Sequence, residues 1–269
     1  QENKEYREKV AADPRRLQFH LMPETGWLND PNGLCQFHGT YHIFYQYTPF
    51  EPTGELKLWA HCTTKDFVHY RDYGPVLFPD QDFDAHGVYS GSAFVEDDTI
   101  YFYYTGNVKR FDRDDYDYIN SGRESNTVMF TSKDGYEFSS KELLMTLDNC
   151  PEDISNHVRD PQILKHDGKY YMVLGARDRN DKGMVLLYQS EDRKHWEYFD
   201  RITTDEKFGY MWECPDLFEI DGQLILTCCP QGVKPQGFEY HNPHQSTAMK
   251  LTYDFDTKES KIKDIKLMD

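Results

Sequence analysis

The chain has 269 residues, with 47 acidic against 30 basic side chains and a formal net charge of −17. This charge disfavours nucleic acid or an anionic membrane as a partner, and no apolar run approaches the about 20 residues of a membrane span. Twenty tyrosines, 17 phenylalanines and four tryptophans favour β-strands and stacking surfaces for sugars.

Residues 1–26 are predicted to form a lead-in segment, with a short helix from Lys4 to Ala12. The next stretch, WLNDPNG (27–33), places one carboxylate, Asp30, between two short amides. Pro31 restricts Asp30 to extended conformations, and Gly33 allows a turn or a close approach. A rigid carboxylate beside an indole suits a sugar site, although an Asx-turn between strands would use the same residue types.

The rest of the chain repeats a pattern of strand, tight polar turn and aromatic strand. The repeats are HGTYHIFYQY (38–47), EDDTIYFYYTG (96–106), HDGKYYMVLGA (166–176) and IDGQLILTCCP (220–230). A signature Ser/Thr-x-Asp-x-x-x-aromatic follows at 64–70, 132–138 and 190–196, with a degenerate copy at 252–254. We expect its Asp to close a hairpin and its aromatic residue to pack between repeats. A period of roughly 55–70 residues with little helical pattern predicts an all-β propeller of four-stranded blades.

The last residues, 261–269, are predicted to begin a strand without a partner. We therefore expect residues 27–269 to form one propeller domain with about four blades, the fifth being incomplete in a chain that looks truncated. An incomplete ring would expose an apolar face. Such a face would favour self-association or contact with the remaining C-terminal part of the same protein.

Six cysteines, at 35, 62, 150, 214, 228 and 229, form no CxxC pair and are predicted to be free thiols. No zinc spacing is present, and the acidic run 111–120 lacks the glycine and terminal glutamate of a calcium loop. The sequence therefore predicts no metal and no cofactor. Free thiols favour a cytoplasmic protein, while the missing initiator methionine leaves a trimmed, secreted form open.

Three acids recur at matching places, each closely followed by proline, on the strand that precedes a tight turn. They are Asp30, Asp160 and Glu213, and Ser90 holds the corresponding place in the second repeat. In a propeller these positions face one axial pocket. Like charges there would raise at least one carboxyl pKa and so supply a protonated acid beside an ionised nucleophile. Glycoside cleavage needs that pair.

These motifs resemble a known family. WLNDPNG, FYQY-x-P (44–49), YSGSA (89–93), RDP (159–161) and WECPD (212–216) resemble, in order, the motif set of glycoside hydrolase family 32, the β-fructofuranosidases. The stretch 209–217, with PQG (230–232), is most similar to the bacterial members that hydrolyse sucrose 6-phosphate. The resemblance implies a five-bladed propeller followed by a C-terminal β-sandwich. The sandwich and the fifth blade are expected to be missing here.

The resemblance also implies roles for individual residues. Asp30 would be the nucleophile, Glu213 the acid/base and Asp160 the transition-state stabiliser. The implied substrate-binding residues are Trp27, Asn29, Gln46, Trp59, Tyr89, Ser90 and Arg159. The chain departs from the family pattern in the run before Trp59 and at Cys62, which leaves the detail of that region open.

The predicted activity is retaining hydrolysis of terminal β-D-fructofuranosides such as sucrose or sucrose 6-phosphate, small carbohydrate substrates. Alternatives are a fructosyltransferase, an inverting arabinanase or xylosidase, and a sugar-binding module or fragment without catalysis. Inverting enzymes place their two catalytic carboxyls about 6.5–9.5 Å apart, whereas retaining enzymes place them about 5–5.5 Å apart. A phosphate would need basic residues at the pocket rim, for which the candidates are Lys109, Arg110, Arg177, Arg179 and Lys234.

Overall fold

The computed structural model describes residues 4–268, which form one α-helix, two short 3₁₀ helices (Asp82–Asp84 and Leu147–Asn149) and sixteen strands in four antiparallel sheets. The helix α1 spans Lys4–Ala11, close to the prediction. Each sheet is one blade of four consecutive strands. The strands are β1 (Trp27–Phe37), β2 (Thr40–Thr48), β3 (Leu58–Thr64), β4 (Tyr70–Leu77), β5 (Val88–Glu96), β6 (Thr99–Lys109), β7 (Arg123–Ser132), β8 (Glu142–Met145), β9 (Ile154–His166), β10 (Lys169–Asp178), β11 (Gly183–Ser190), β12 (Glu197–Ile202), β13 (Met211–Ile220), β14 (Gln223–Gln231), β15 (Thr247–Tyr253) and β16 (Ser260–Leu267). The predicted all-β propeller is thus confirmed.

The first two strands of every blade are joined by a two-residue turn. These turns are His38–Gly39, Asp97–Asp98, Asp167–Gly168 and Asp221–Gly222, and all eight residues have positive φ. Mirror-image turns of this kind match the right-handed twist of the strands that they connect. Asp and Gly tolerate this conformation better than other residues, which explains the repeated polar turn in the sequence.

The repeated signature has the predicted turn function. Asp66, Asp134 and Asp192 each accept backbone N–H groups from the residues two and three positions further on. Asp254 of the degenerate copy does the same. The carboxylate therefore replaces the backbone partners that the turn lacks.

The aromatic residues of the signature behave differently from one another. Phe138 packs against Phe44 of the preceding blade, and Trp196 packs against Tyr103 of the preceding blade, as predicted. The prediction is wrong for Tyr70, which is exposed and donates its hydroxyl to the Phe67 carbonyl. Tyr70 belongs to the first blade, and the described residues contain no earlier blade against which its ring could pack.

The prediction of an unpartnered strand near the end of the chain is also wrong. This segment is β16, the outer strand of the fourth blade, and it pairs antiparallel with β15. Ile262 and Ile265 pack on the apolar cluster that joins the third and fourth blades. The Asp254 turn reverses the chain and so brings β16 back along its own blade.

Apolar clusters fill the spaces between successive blades. Trp59, Phe102 and Phe130 lie in the cluster between the first and second blades, and all three are almost fully buried. The first strands of neighbouring blades contact one another, so β1, β5, β9 and β13 surround the axis. In the part of the chain described here, no helix has the length and apolar character needed to span a membrane.

Candidate active site

Each of the four axial strands loses its regular pairing at the same level. The register shifts fall between Leu28 and Pro31, Val88 and Gly91, Arg159 and Gln162, and Glu213 and Asp216. A β-bulge twists the strand locally and re-aims its side chains. The interrupted segments contain Asp30, Ser90 and Asp160, and the last shift begins at Glu213. A bulge therefore lies at each of the three predicted acids and at Ser90.

Two of these bulges carry backbone strain. Asp160 has φ +64° and Cys214 has φ +45°, although neither is glycine. Such conformations cost about 1–3 kcal/mol each and persist where surrounding contacts fix them. Here the strained residues fix each other, because the Cys214 N–H donates to Asp160 Oδ2 at 2.8 Å.

The axial strands and their loops surround a polar cavity of about 290 Å³, called the central cavity below. Three carboxylates from three blades line it: Asp30, Asp160 and Glu213. The full lining consists of Asn29, Asp30, Gln46, Lys57, Tyr89, Tyr118, Arg123, His157, Arg159, Asp160, Glu213 and Gln231. The structure thus brings the three predicted acids together.

Asp30 is held by a chain of hydrogen bonds. The Asn29 amide donates to Gln46 Oε1 at 3.1 Å, and the Gln46 amide donates to Ser90 Oγ at 2.7 Å. The Ser90 hydroxyl then donates to Asp30 Oδ2 at 2.8 Å. Because Ser90 has one hydroxyl proton, this order of donors is self-consistent. The chain fixes the orientation of the Asp30 carboxylate.

Arg159 connects the other two acids. Its guanidinium contacts a Glu213 carboxylate oxygen and lies 3.5 Å from Asp160 Oδ2. Burial disfavours the charged form of Arg159, but the carboxylates of Asp160 and Glu213 raise its pKa. His244, on the loop before β15, reaches within 3.9 Å of Glu213 Oε2.

Burial raises the pKa of Asp160 to about 6. Arg159 and the Cys214 N–H oppose this rise, whereas Glu213 and Asp30 add to it. The pKa of Asp160 is thus raised chiefly by burial, and the neighbouring carboxylates, which the sequence argument took as the cause, add a smaller part. This is the acid that the resemblance assigns to transition-state stabilisation rather than to proton donation.

Six of the seven predicted substrate-binding residues lie at or next to the central cavity. Asn29, Gln46, Tyr89 and Arg159 line the central cavity, and Ser90 is buried behind Asp30. Trp27 lies beside it, with its ring 5.4 Å from Lys57 Nζ.

Trp59, by contrast, does not line the cavity. It is fully buried and donates its indole N–H to the Tyr89 carbonyl at 3.0 Å. The physical reason is its position on β3, two strands away from the axis. Trp59 therefore supports the wall that holds Tyr89.

Sequence reasoning missed five cavity residues: Lys57, Tyr118, Arg123, His157 and Gln231. His157 had a signal, because it stands two positions before Arg159 and so shares its face of β9. Tyr118 and Arg123 had none, since they lie on and just after the long β6–β7 loop, which reads as a solvated acidic segment.

Replacing Asp160 with asparagine is expected to raise the thermal stability of the protein at neutral pH while lowering its activity. The folded-state pKa of Asp160 lies above its usual value, so its contribution to stability is lost as pH rises through about 6. Asp160→Asn should therefore raise the thermal midpoint at pH 7.5 by at least about 2 °C, with the difference vanishing below about pH 4. Turnover should fall about 10²–10³-fold. Thermal unfolding at both pH values and initial rates measure this. A variant less stable than wild type at pH 7.5 would contradict it.

A β-propeller whose axial strands present three carboxylates and an arginine to one polar cavity defines a glycosidase-type site. The chain belongs to glycosyl hydrolases family 32, because the model of that family's N-terminal domain matches residues 20–269. This confirms the resemblance seen in the motifs.

Individual relatives agree with this membership. The chain is 41% identical to a sucrose-6-phosphate hydrolase of Bacillus subtilis, over 91% of this chain and 50% of that protein. The solved sucrose-6-phosphate hydrolase of Lactobacillus gasseri is 32% identical with a TM-score of 0.85, over 96% of this chain and 51% of that one. A Bombyx mori β-fructofuranosidase mutant, solved in complex with sucrose, is 32% identical with a TM-score of 0.82, over 98% and 55%. The chain thus spans about half the length of these relatives.

Proposed function

We propose that this chain carries the catalytic site of a retaining β-fructofuranosidase that acts on sucrose or a related fructoside. The observation that supports it best is the convergence of Asp30, Asp160 and Glu213 on the central cavity, with Arg159 contacting two of them. A binding module would not need an acid oriented by three successive hydrogen bonds, as Asp30 is.

In the proposed mechanism, an Asp30 oxygen forms a bond to C2 of the fructosyl unit while the C2–glycosidic oxygen bond breaks. Glu213 gives its proton to the departing oxygen, which leaves as the sugar hydroxyl. Glu213 then takes a proton from water, whose oxygen attacks C2 and releases Asp30. The cycle therefore returns both carboxyls to their starting states.

Arg159 suits the second half of this cycle, because its guanidinium stabilises the negative form of Glu213 and orients it. Asp160, Asn29 and Gln46 would hold the hydroxyls of the fructosyl unit. The two neutral amides are already ordered by their mutual hydrogen bond. This pre-organisation lowers the cost of orienting the sugar.

We further propose a cytoplasmic location and contacts between this propeller and the remainder of a longer protein. The support is the name of the bacterial relatives, the six free cysteines and the half-length coverage. Residues 1–26 and 27–269 remain the proposed lead-in and catalytic segments.

The stereochemistry of transfer tests the proposed function. Sucrose turnover by the natural full-length protein in dilute methanol should yield methyl β-D-fructofuranoside, since two inversions at C2 restore the original configuration. Nuclear magnetic resonance distinguishes the two anomers. The α-anomer would show inversion, and release of no fructosyl product from any β-fructoside would refute the activity.

A further inference from the structure

The β2–β3 loop, residues 49–57, brings a lysine to the wall of the central cavity. Lys57 is the one lysine that lines this cavity among the residues that the structure describes. The basic residues that the sequence suggested for the rim do not line it: Lys109, Arg110, Arg177, Arg179 and Lys234. Lys57 belongs to the run before Trp59 that departs from the family pattern, so the resemblance implies no role for it.

The Lys57 ammonium lies between two aromatic walls that come from different blades. Its Nζ is 5.4 Å from the centre of the Trp27 ring on β1 and 5.3 Å from the centre of the Tyr89 ring on β5. The face of an aromatic ring attracts a cation, and the attraction is larger where water is excluded. A single charge therefore attracts both walls and sets the distance between them.

The same ammonium closes the tip of the β2–β3 loop. It donates to the Gly54 carbonyl at 2.6 Å and to the Glu55 carbonyl at 3.3 Å. Gly54 packs directly on the Trp27 ring, since a Cβ atom added at Gly54 would lie 3.1 Å from two of the ring carbons. The loop tip, the ammonium and the Trp27 ring thus form one packed unit.

The backbone of Lys57 fixes the opposite wall. Its carbonyl accepts the N–H of Val88, the residue immediately before Tyr89, at 2.9 Å. Trp59, two positions after Lys57, donates its indole N–H to the Tyr89 carbonyl at 3.0 Å. The end of the β2–β3 loop and the start of β3 therefore hold the backbone on both sides of the Tyr89 ring.

The surroundings of Lys57 disfavour its charge. Burial lowers the pKa of Lys57, and the charge of Lys109 lowers it further. Tyr118, Asp30 and Glu55 oppose this fall. An apolar side chain of the same length would avoid the cost of burying a charge. It could not replace the contacts with two carbonyls and two ring faces, so the ammonium itself is the functional feature.

We propose that Lys57 is a positioning residue of the sugar site, which sets the separation of the Trp27 and Tyr89 walls before the sugar arrives. The identity of the ligand rests on the proposed function. In this proposal the two walls contact the sugar in the ground state and in the transition state alike, so that ordering them strengthens uniform binding. Loss of the ammonium should therefore raise KM and leave kcat nearly unchanged.

Kinetics of sucrose hydrolysis by the natural full-length protein test this split. Lys57→Met keeps the length of the side chain and removes its charge. Its KM should rise about 10-fold, as for one desolvated cation–π contact, while kcat changes less than about 3-fold. Lys57→Arg should keep KM within about 3-fold of wild type, because a guanidinium also binds ring faces and carbonyls. Lys182→Met is the matched control, since its ammonium donates to the Asp205 carbonyl away from the cavity, and it should match wild type.

A double-mutant cycle distinguishes positioning from direct contact between Lys57 and the sugar. If the ammonium acts through Trp27, the effect of Lys57→Met on KM should shrink to about 3-fold or less in a Trp27→Leu background. A direct hydrogen bond from Lys57 to the sugar would leave the full effect in place. Additive effects of the two substitutions, or a Lys57→Met variant that loses kcat with an unchanged KM, would overturn the proposal.

Tryptophan fluorescence gives a readout that does not depend on turnover. Among the four tryptophans of the chain, Trp27 is partly exposed and the other three are buried: Trp59, Trp196 and Trp212. The difference in acrylamide quenching between each protein and its Trp27→Phe counterpart therefore reports the exposure of the Trp27 ring. Lys57→Met should increase this quenching, because the loop tip no longer stays packed on the ring.

The same measurement at rising pH uses the titration of the ammonium. Lys57 loses its charge at a lower pH than an exposed lysine does, so quenching should increase with pH in wild type and stay constant in Lys57→Arg. Should Lys57→Met fail to fold, this comparison carries the test. Equal quenching in wild type and folded Lys57→Met, or the same pH dependence in wild type and Lys57→Arg, would overturn the proposal. The expected quenching in a protein that cleaves no fructoside would refute the proposed function and leave the positioning of Trp27 by Lys57 supported.

Discussion

Asp30→Asn is expected to reduce kcat for sucrose by at least about 10⁴-fold, the scale seen when a nucleophile is removed from a catalytic unit. The amide has nearly the shape of the carboxylate, and its oxygen can still accept the Ser90 hydroxyl. What it loses is the negative charge and the oxygen that would form the bond to C2. The covalent fructosyl-enzyme should therefore disappear while the fold is retained.

Rapid-quench mass spectrometry measures this directly. Wild-type protein should show a population heavier by one fructosyl group during turnover, and Asp30→Asn should show none. Asp112→Asn, which changes an exposed aspartate on the β6–β7 loop, is the matched control and should show the wild-type adduct. A fructosyl adduct in Asp30→Asn would assign the nucleophile to another residue.

The Ser90 hydroxyl offers a graded version of the same test. Ser90→Ala leaves the Asp30 carboxylate in place and removes only its oriented donor, together with the link to Gln46. Its effect on kcat should be smaller than that of Asp30→Asn, because orientation is lost and the reacting oxygen remains.

The architecture could be predicted from sequence because each blade repeats the same local chemistry. Two-residue polar turns and the Asp of the signature are set by residues close together in the chain, so the sequence shows them directly. Tyr70 and the final strand were predicted wrongly for a different reason. Whether an aromatic residue is covered, or a strand is paired, depends on which segment is adjacent in space.

The same difference between local and long-range determinants explains which cavity residues the sequence revealed. Asp30, Asp160 and Glu213 could be found because each lies in an axial strand, beside a proline, at a repeated position. Arg123 and Lys57 could not, because loops of irregular length bring them to the cavity. Trp59, by contrast, was predicted to line the site, but it is buried and does not line the cavity. Its position next to site residues in the family motifs does not reveal that β3 lies behind the axial strand.

Glu213→Gln is expected to distinguish substrates by their leaving groups. Sucrose needs a proton on its departing glucosyl oxygen, so its cleavage should slow about 10²–10⁴-fold. An aryl β-fructofuranoside with an acidic phenol leaves without that proton, and its first bond cleavage should slow less than about 10-fold. The second step still needs a base to activate water. The aryl substrate should therefore give a burst of phenol equal to the enzyme concentration, followed by slow turnover.

Azide completes the argument for Glu213, because it attacks the fructosyl-enzyme without needing a base. Added azide should speed the slow phase of Glu213→Gln and yield β-fructosyl azide, while leaving wild-type turnover nearly unchanged. Glu219→Gln changes an exposed residue on the same strand, β13, and should behave as wild type throughout. The contact of Arg159 with Glu213 makes the comparison sharper, since glutamine keeps an oxygen acceptor and loses the titrating proton. Equal slowing of sucrose and the aryl substrate, with no effect of azide, would mean that Glu213 positions the sugar and that another group carries the proton.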